Sequence, residues 1–346
     1  MVTCLKISKK FGQKAKNFLI EKNWLDTSVN IGKTSNYLLL PLSKNANTKE
    51  IIRKFKGEIA ERSLPASKKP YAGNLKKELK GVIPDSKIDA VKKSYDLVGD
   101  IAILEIPPSL EKMEKSIAWT LYRTHPNIKS VAKKDSTFSG KFRIRKIKNI
   151  CGENKSVTIH KESGVKLKVD LNEVYFSPRL GAERLRISKQ VKPNEKILVM
   201  FSGVSPYPLV LEKKQPKVEK IFAIELNIKA HNFALENIKM NRSKKVIPIL
   251  GDVRRVVSHF ETKFDRIIMI LPKQAHTFLE EAFSISKRGT IIHLYQFYNE
   301  KDIDTKVKKD VEKLTSKLRK VKILDIVKCG PYSPRKFRVC VDLKVL

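Results

Sequence analysis

The sequence has 346 residues, 41% of them apolar, enough to bury a full core and to fill two or three domains. Its 72 Lys and Arg against 36 Asp and Glu give a formal net charge of +36, far beyond what solubility needs, so a polyanion is the expected partner. Apolar runs such as residues 267–271 are too short to cross a bilayer, and the start MVTCLKISKK lacks the apolar stretch of a secretion signal; a cytoplasmic protein without a membrane segment is expected.

Residues 10–21 carry a helical pattern, 36–41 read as a strand, and 50–61 form a second amphipathic stretch. Together they suggest a small N-terminal α+β domain over residues 1–64. The following SLPASKKPYAGN mixes prolines, a glycine, serines and lysines, which is linker chemistry, and a linker is placed at 65–74. A middle domain is expected over 75–170, with a short helix near 86–93, a strand at 97–106 stopped by Pro107 and Pro108, and a helix at 110–122 with Trp119 on its apolar side. Residues 129–168 are dense in Lys and Arg, interleaved with Phe138 and Phe142, and 157–169 alternate apolar and polar. That pattern suggests a basic β-surface.

From 171 to 346 short apolar runs at 196–200, 220–224, 246–250, 266–270 and 290–294 alternate with helical patterns at 230–240 and 277–283. A charged helix at 301–322 precedes a last strand at 337–343. Such alternation predicts an α/β fold with a doubly wound, mostly parallel, Rossmann-like sheet. The four cysteines (Cys4, Cys151, Cys329, Cys340) and six histidines are scattered without metal-ligand spacing, so neither a disulfide framework nor a metal is expected.

In an open sheet of this kind ligands bind beyond the carboxyl ends of the strands. The first strand runs into Phe201-Ser202-Gly203-Val204-Ser205-Pro206, where small residues let backbone amides approach a ligand. Glu225 ends the second strand, where a carboxylate can accept from both hydroxyls of a ribose. Gly251-Asp252 ends the third, where an aspartate can meet an adenine amino group, and Leu271-Pro272-Lys273 ends the fourth. A redox dinucleotide-binding protein is the competing reading, but its G-x-G-x-x-G fingerprint is missing. Upstream, Tyr175-Phe176-Ser177-Pro178-Arg179-Leu180-Gly181-Ala182-Glu183-Arg184-Leu185-Arg186 could by spacing alone be a solvated helix start held by Glu–Arg pairs.

This dodecamer, the loop at 201–206, Glu225, Gly251-Asp252-Val253-Arg254, Leu271-Pro272-Lys273 and the late Tyr332-Ser333-Pro334, Phe337 and Val341-Asp342 together resemble the archaeal and eukaryotic tRNA (guanine-37-N1)-methyltransferase family. The resemblance runs along nearly the whole chain. It implies a class I methyltransferase domain at the C-terminus, two smaller α+β domains before it, a monomer, and transfer of a methyl group from S-adenosylmethionine to N1 of the guanosine 3′ of the anticodon of tRNA. Guanine N1 carries a proton, so the chemistry needs a base. By residue matching Glu183 would accept that proton, and Arg143 would stabilise charge on the neighbouring carbonyl oxygen. Tyr175, Arg184, Phe201, Gly203, Glu225, Asp252 and Val253 would hold the cofactor; Arg145, Arg179, Pro272 and Lys273 would serve the substrate side. Three positions depart from the family pattern: Val199 where an acidic residue is usual, Ser205 in place of a glycine, and Ile270 in place of an asparagine whose amide could hydrogen-bond base or cofactor. They keep two alternatives open, a wyosine-type modification at the same nucleotide by methyl or aminocarboxypropyl transfer, and a tRNA-binding protein with impaired catalysis.

Overall fold

The computed structural model describes residues 1–22, 24–26, 29–65, 75–92, 94–135, 140, 142 and 144–346. They divide into two compact units, Met1–Asp135 with Ile147–Lys155, and Ser136–Lys146 with Ser156–Leu346. The linker expected at 65–74 falls, apart from Pro65, outside the described residues.

The first unit holds two four-stranded sheets. One is built from β1 (Val2–Ser8), α1 (Lys9–Glu21), β2 (Gly32–Lys33), β3 (Tyr37–Pro41), α2 (Thr48–Phe55) and β4 (Glu58–Arg62), with strand order β2-β3-β1-β4. The stretch 50–61 is therefore a helix and a strand rather than one amphipathic element: Lys56 takes a left-handed conformation (φ 48°), and its N–H caps α2 on Ile52 O. The other comprises α3 (Leu75–Glu78), α4 (Asp85–Ile88), β5 (Asp96–Val98), β6 (Ile101–Leu104), α5 (Glu114–Thr124), β7 (Ser130–Lys134) and β8 (Ile147–Gly152), in the order β5-β6-β7-β8. Gly99, at φ 56°, folds the run 97–106 into a hairpin instead of one strand.

The second unit opens with the hairpin β9 (Val157–Glu162) and β10 (Val165–Asp170) and continues with α6 (Gly181–Gln190), β11 (Lys196–Met200), α7 (Pro206–Lys214), β12 (Lys220–Glu225), α8 (Ile228–Met240), β13 (Val246–Leu250), α9 (Val253–Val257) and β14 (Phe264–Met269). Then come α10 (Leu279–Ser284), β15 (Ser286–Asn299), α11 (Ile303–Thr315), β16 (Val321–Ser333) and β17 (Lys336–Val345). The seven-stranded sheet has the order β13-β12-β11-β14-β15-β17-β16. Its first five strands are parallel, and β17 runs antiparallel between β15 and β16. Ile197, Leu198, Val199 and Met200 are all fully buried, as a central parallel strand covered on both faces requires. Val199 thus belongs to the core, where an acidic side chain would need a partner.

The hairpin β9–β10, which precedes the boundary expected at 170, belongs to the second compact unit. Two amides one helical turn apart, Asn237 on α8 and its C-cap Asn241, hold it there. Asn237 exchanges hydrogen bonds with Lys168 N and O (2.6 and 3.0 Å), and Asn241 does the same with Lys166 N and O (2.9 and 2.6 Å). These side chains pair with β10 as a neighbouring strand would. Fully buried Asn237 also donates to Val204 O at 3.1 Å and so ties the hairpin to the loop after β11.

Candidate functional site

The strand order reverses on the two sides of β11, and a crevice opens there at the carboxyl ends of the strands. A cavity of about 400 Å³ occupies it, within the range of small-molecule sites. Tyr175, Phe201, Gly203, Glu225, Asp252, Val253 and Pro272, all singled out from sequence, line it together with Ile270. Phe142 and Arg338 line it as well.

The loop after β11 is shaped by an unusual run of backbone conformations. Phe201, Gly203 and Ser205 have φ of 62°, 58° and 63°, so alternate residues lie in the left-handed region. Within it Gly203 N–H donates to Glu225 Oε2 at 2.7 Å, and Ser202 N–H to Ile224 O at 2.9 Å. Glu225 accepts on its other oxygen from Asn227 N–H at 2.7 Å. Burial raises the Glu225 pKa, opposed by these backbone hydrogen bonds. One carboxylate therefore braces two loops while lining the cavity. Asn227 caps α8 by accepting from Lys229 N–H, and its Nδ2 donates to Glu173 O at 3.2 Å. Asp252 caps α9 through Arg254 N–H at 2.9 Å. A nucleoside fits this lining: apolar walls, a carboxylate at the end of β12 and an aspartate after β13.

The other described residues expected at the site lie elsewhere. Arg143 is outside the described residues. Arg145 is half-buried, whereas Arg179 and Lys273 are exposed; none lines the cavity. Arg184 is 1% exposed, pairs with Glu162, donates to Ser177 O at 3.2 Å and lies over the Phe176 and Tyr207 rings. It fastens the segment before α6 to β9.

Glu183, in the first turn of α6, is 5% exposed. Its carboxylate accepts from Arg186 Nε and Nη2 at 2.7 and 2.8 Å and from Tyr295 Oη at 2.6 Å. Arg186 also donates to Asp342, which accepts from Gln190 and bonds His293 Nδ1; His293 Nε2 meets Arg266 Nη1, and Arg266 pairs with Glu195. Burial pushes the Asp342 carboxyl up, but the bonds from His293 and Arg186 outweigh it and hold its pKa well below the usual value. Burial lowers the His293 pKa, against the pull of Asp342. His293, Cys340 and Asp342 bring possible ligand atoms within 4.8 Å of one another, yet a cation there would face the guanidiniums of Arg186 and Arg266. Their donor set suits an ion network better than a metal.

In the first unit a cavity of about 720 Å³ gathers Lys9, Lys16, Lys33, Lys77, Lys80 and Arg123, with Asp26 and Glu78 on its wall. Burial lowers the Lys16 pKa and Arg123 repels it further; burial also lowers Arg123 to about 10, still charged at neutral pH. Arg123 Nε donates to Trp119 O at 3.0 Å, which fixes the guanidinium on α5.

Residues 158–324 match the family described as TRM5/TYW2 methyltransferase domain, 75–155 the TYW2 N-terminal domain, and 4–50 the tRNA methyltransferase 5 N-terminal domain. The chain is 36% identical over 346 residues to tRNA (guanine(37)-N(1))-methyltransferase Trm5b of Pyrococcus abyssi, covering all of this chain and 99% of the relative. Its fold is similar to that of Methanocaldococcus jannaschii Trm5 solved in complex with adenosine (TM-score 0.65, 34% identity, 99% of each chain). It is also similar to aTrm5 solved in complex with tRNALeu (TM-score 0.69, 34% identity, 100% of each chain).

Proposed function

The chain belongs to the tRNA (guanine-37-N1)-methyltransferase family, and from that premise we propose that its second unit binds S-adenosylmethionine in the cavity beside β11 and methylates N1 of guanosine 37 in tRNA. The observation that carries this reading is the convergence of Phe201, Gly203, Glu225, Asp252, Val253 and Pro272 on one cavity at the sheet's switch point. The cofactor supplies an electrophilic methyl group on a sulfonium. Glu225 holds the ribose hydroxyls, Asp252 and Val253 receive the adenine, and Phe201 and Gly203 wall the cofactor. Pro272 bounds the side where the target base enters, after leaving its stack, and Tyr175 lines the wall where cofactor and base meet.

Glu183 accepts the guanine N1 proton as the methyl group arrives. Three residues before it, Leu180 lines the cavity, and acceptance needs the carboxylate to turn from Tyr295 toward that wall. Arg143 balances charge on the adjacent carbonyl oxygen. Arg145, Arg179 and Lys273 meet the RNA from outside the cavity.

The first unit carries cationic groups toward phosphate, chief among them Lys16 and Arg123. No helix among the described residues is long and apolar enough to cross a membrane. A tRNA substrate implies the cytoplasm as the place of work. A monomer is what the resemblance to the family implies.

The identity to Trm5b along the whole chain and the match of residues 4–50 to the tRNA methyltransferase 5 N-terminal domain favour guanine N1 methylation over the wyosine-type chemistry toward which the match of residues 75–155 leans. The test is methyl transfer to transcripts with guanosine or adenosine at position 37, followed by nucleoside mass spectrometry. 1-Methylguanosine from the guanosine transcript alone is the expected product. Label in neither transcript overturns the reading and leaves a tRNA-binding protein; an aminocarboxypropyl adduct on a wyosine-containing tRNA places it with the other enzymes of that nucleotide.

A further inference from the structure

Arg338, on β17, has no assigned part in this chemistry, yet it lines the transfer cavity and is 8% exposed. One guanidinium nitrogen, Nη2, donates to Tyr175 Oη at 3.3 Å, while Nε, buried, finds no hydrogen-bond partner among the described residues. The other buried arginines among this unit's described residues differ: Arg184 is matched by Glu162 and Arg266 by Glu195. A buried guanidinium cannot shed its charge, and each unmade donor costs free energy unless something completes it.

The surroundings say what completes it. Arg338 lies over the Phe297 ring, 5.8 Å from guanidinium carbon to centroid, and Phe297 is stacked against Tyr332 with centroids 4.2 Å apart and planes 35° apart. Tyr332 is 44% exposed, so the aromatic shelf opens outward. Shelves of this kind hold unstacked bases. β17 is also four strands from β12, on the order of 19 Å across the sheet at the usual spacing, so Arg338 lies away from the ribose-facing Glu225. A cation is further disfavoured beside a sulfonium and favoured where negative charge develops, which on N1 deprotonation is the purine carbonyl oxygen. Ile270 lines the same cavity at the position where the family pattern has an amide donor.

Resting on the transfer site described above, we propose that Arg338 is a substrate-binding residue that donates to the carbonyl oxygen of the flipped guanine, supplying the donor that Ile270 lacks. The proposal requires no change in how the cofactor is held.

The experiment compares wild type with Arg338→Ala, Arg338→Lys and the double variant Arg338→Ala/Ile270→Asn, after thermal melts establish that each is folded. With a guanosine-bearing transcript, kcat of Arg338→Ala falls about 10- to 100-fold, the size of one charge-assisted hydrogen bond. Calorimetric affinity for S-adenosylhomocysteine without RNA stays within twofold. Added guanidinium ion or Ile270→Asn restores part of the rate, and Arg338→Lys retains more than the alanine variant. Unchanged kcat in Arg338→Ala overturns the proposal, and so does a loss of cofactor affinity matching the loss of rate, which would assign Arg338 to the cofactor carboxylate. Absence of transfer by wild type would instead refute the function.

Discussion

Tyr295 on β15 donates its hydroxyl to Glu183 Oε1 at 2.6 Å across 112 residues of sequence, and Arg186 closes on the same carboxylate from one turn along α6. The candidate base is thereby held by two donors, one of them permanently charged. A glutamine at this position keeps an acceptor for Tyr295 but cannot take a proton. For Glu183→Gln we expect kcat to fall about 10²- to 10⁴-fold, the usual range for a lost general base. Cofactor affinity should remain near wild type, because Glu183 does not line the cavity. Single-turnover rates against pH are the check: rising pH should recover part of the loss as the guanine itself deprotonates. Equal losses of rate and cofactor affinity would make Glu183 a structural residue.

Glu225 joins two loops that line the cavity, accepting from Gly203 N–H and Asn227 N–H, each at 2.7 Å. In Glu225→Gln an amide NH2 group must oppose one of those N–H donors, and a ribose acceptor is lost as well. The cofactor dissociation constant should rise about 10- to 100-fold, from the worth of one or two hydrogen bonds to a charged group. Calorimetry with S-adenosylhomocysteine measures it. Tight binding by the variant would remove Glu225 from the ribose role.

Ser205 pairs a left-handed backbone (φ 63°) with a fully buried Oγ that has no hydrogen-bond partner among the described residues. The conformation costs a non-glycine residue about 1–2 kcal/mol, and an unmet hydroxyl costs about 1–3 kcal/mol. Glycine would remove both, against about 0.5–1 kcal/mol of added chain entropy. The balance predicts that Ser205→Gly stabilises the protein by about 1–4 kcal/mol, read as a higher urea midpoint at unchanged slope. A lower midpoint would show that the hydroxyl is satisfied in solution.

The strands β11 to β14 were legible because a parallel strand covered on both faces must be apolar at nearly every position, as Ile197 to Met200 are. The cavity residues followed from them, since each sits where a strand ends. β16 was not legible: the charged pattern of 301–322 suggested one long helix, whereas the helix stops at Thr315 and the strand starts at Val321. Arg338 and Asn237 escaped for a different reason. Their partners, Tyr175 and Lys168, are 163 and 69 residues away, and only the return of β17 between β15 and β16 or the docking of the hairpin on α8 brings them together. Asn227 carried a weak local sign, an asparagine at a helix start two residues after Glu225.

Asp342 is 2% exposed and joins Arg186, Gln190 and His293. Its pKa is lowered in the folded state relative to an ordinary 3.8, so the unfolded chain binds the proton more readily. Its contribution is therefore complete above the unfolded value and is lost as pH falls from about 4 toward the folded pKa. Asp342→Asn should cost about 3 kcal/mol at pH 7, as expected for a buried pair missing one partner, and less near pH 3. Urea titrations of both proteins at the two pH values test this. A difference that does not shrink in acid would put the effect in packing rather than charge.

Lys16 and Arg123 share one cavity of the first unit, where burial and mutual repulsion hold the Lys16 pKa below its ordinary value. Two cations pressed together in this way gain most from an anion that touches both, and RNA phosphate is the anion this enzyme meets. Replacing both with alanine should weaken tRNA binding about tenfold at moderate salt. It should also flatten the plot of log affinity against log salt concentration by roughly 2, one unit for each phosphate no longer neutralised. Cofactor affinity should not change, because that cavity lies in the second unit. Filter binding over a salt series separates the outcomes. A uniform loss of affinity with an unchanged slope would mean that the two residues shape the first unit without meeting phosphate.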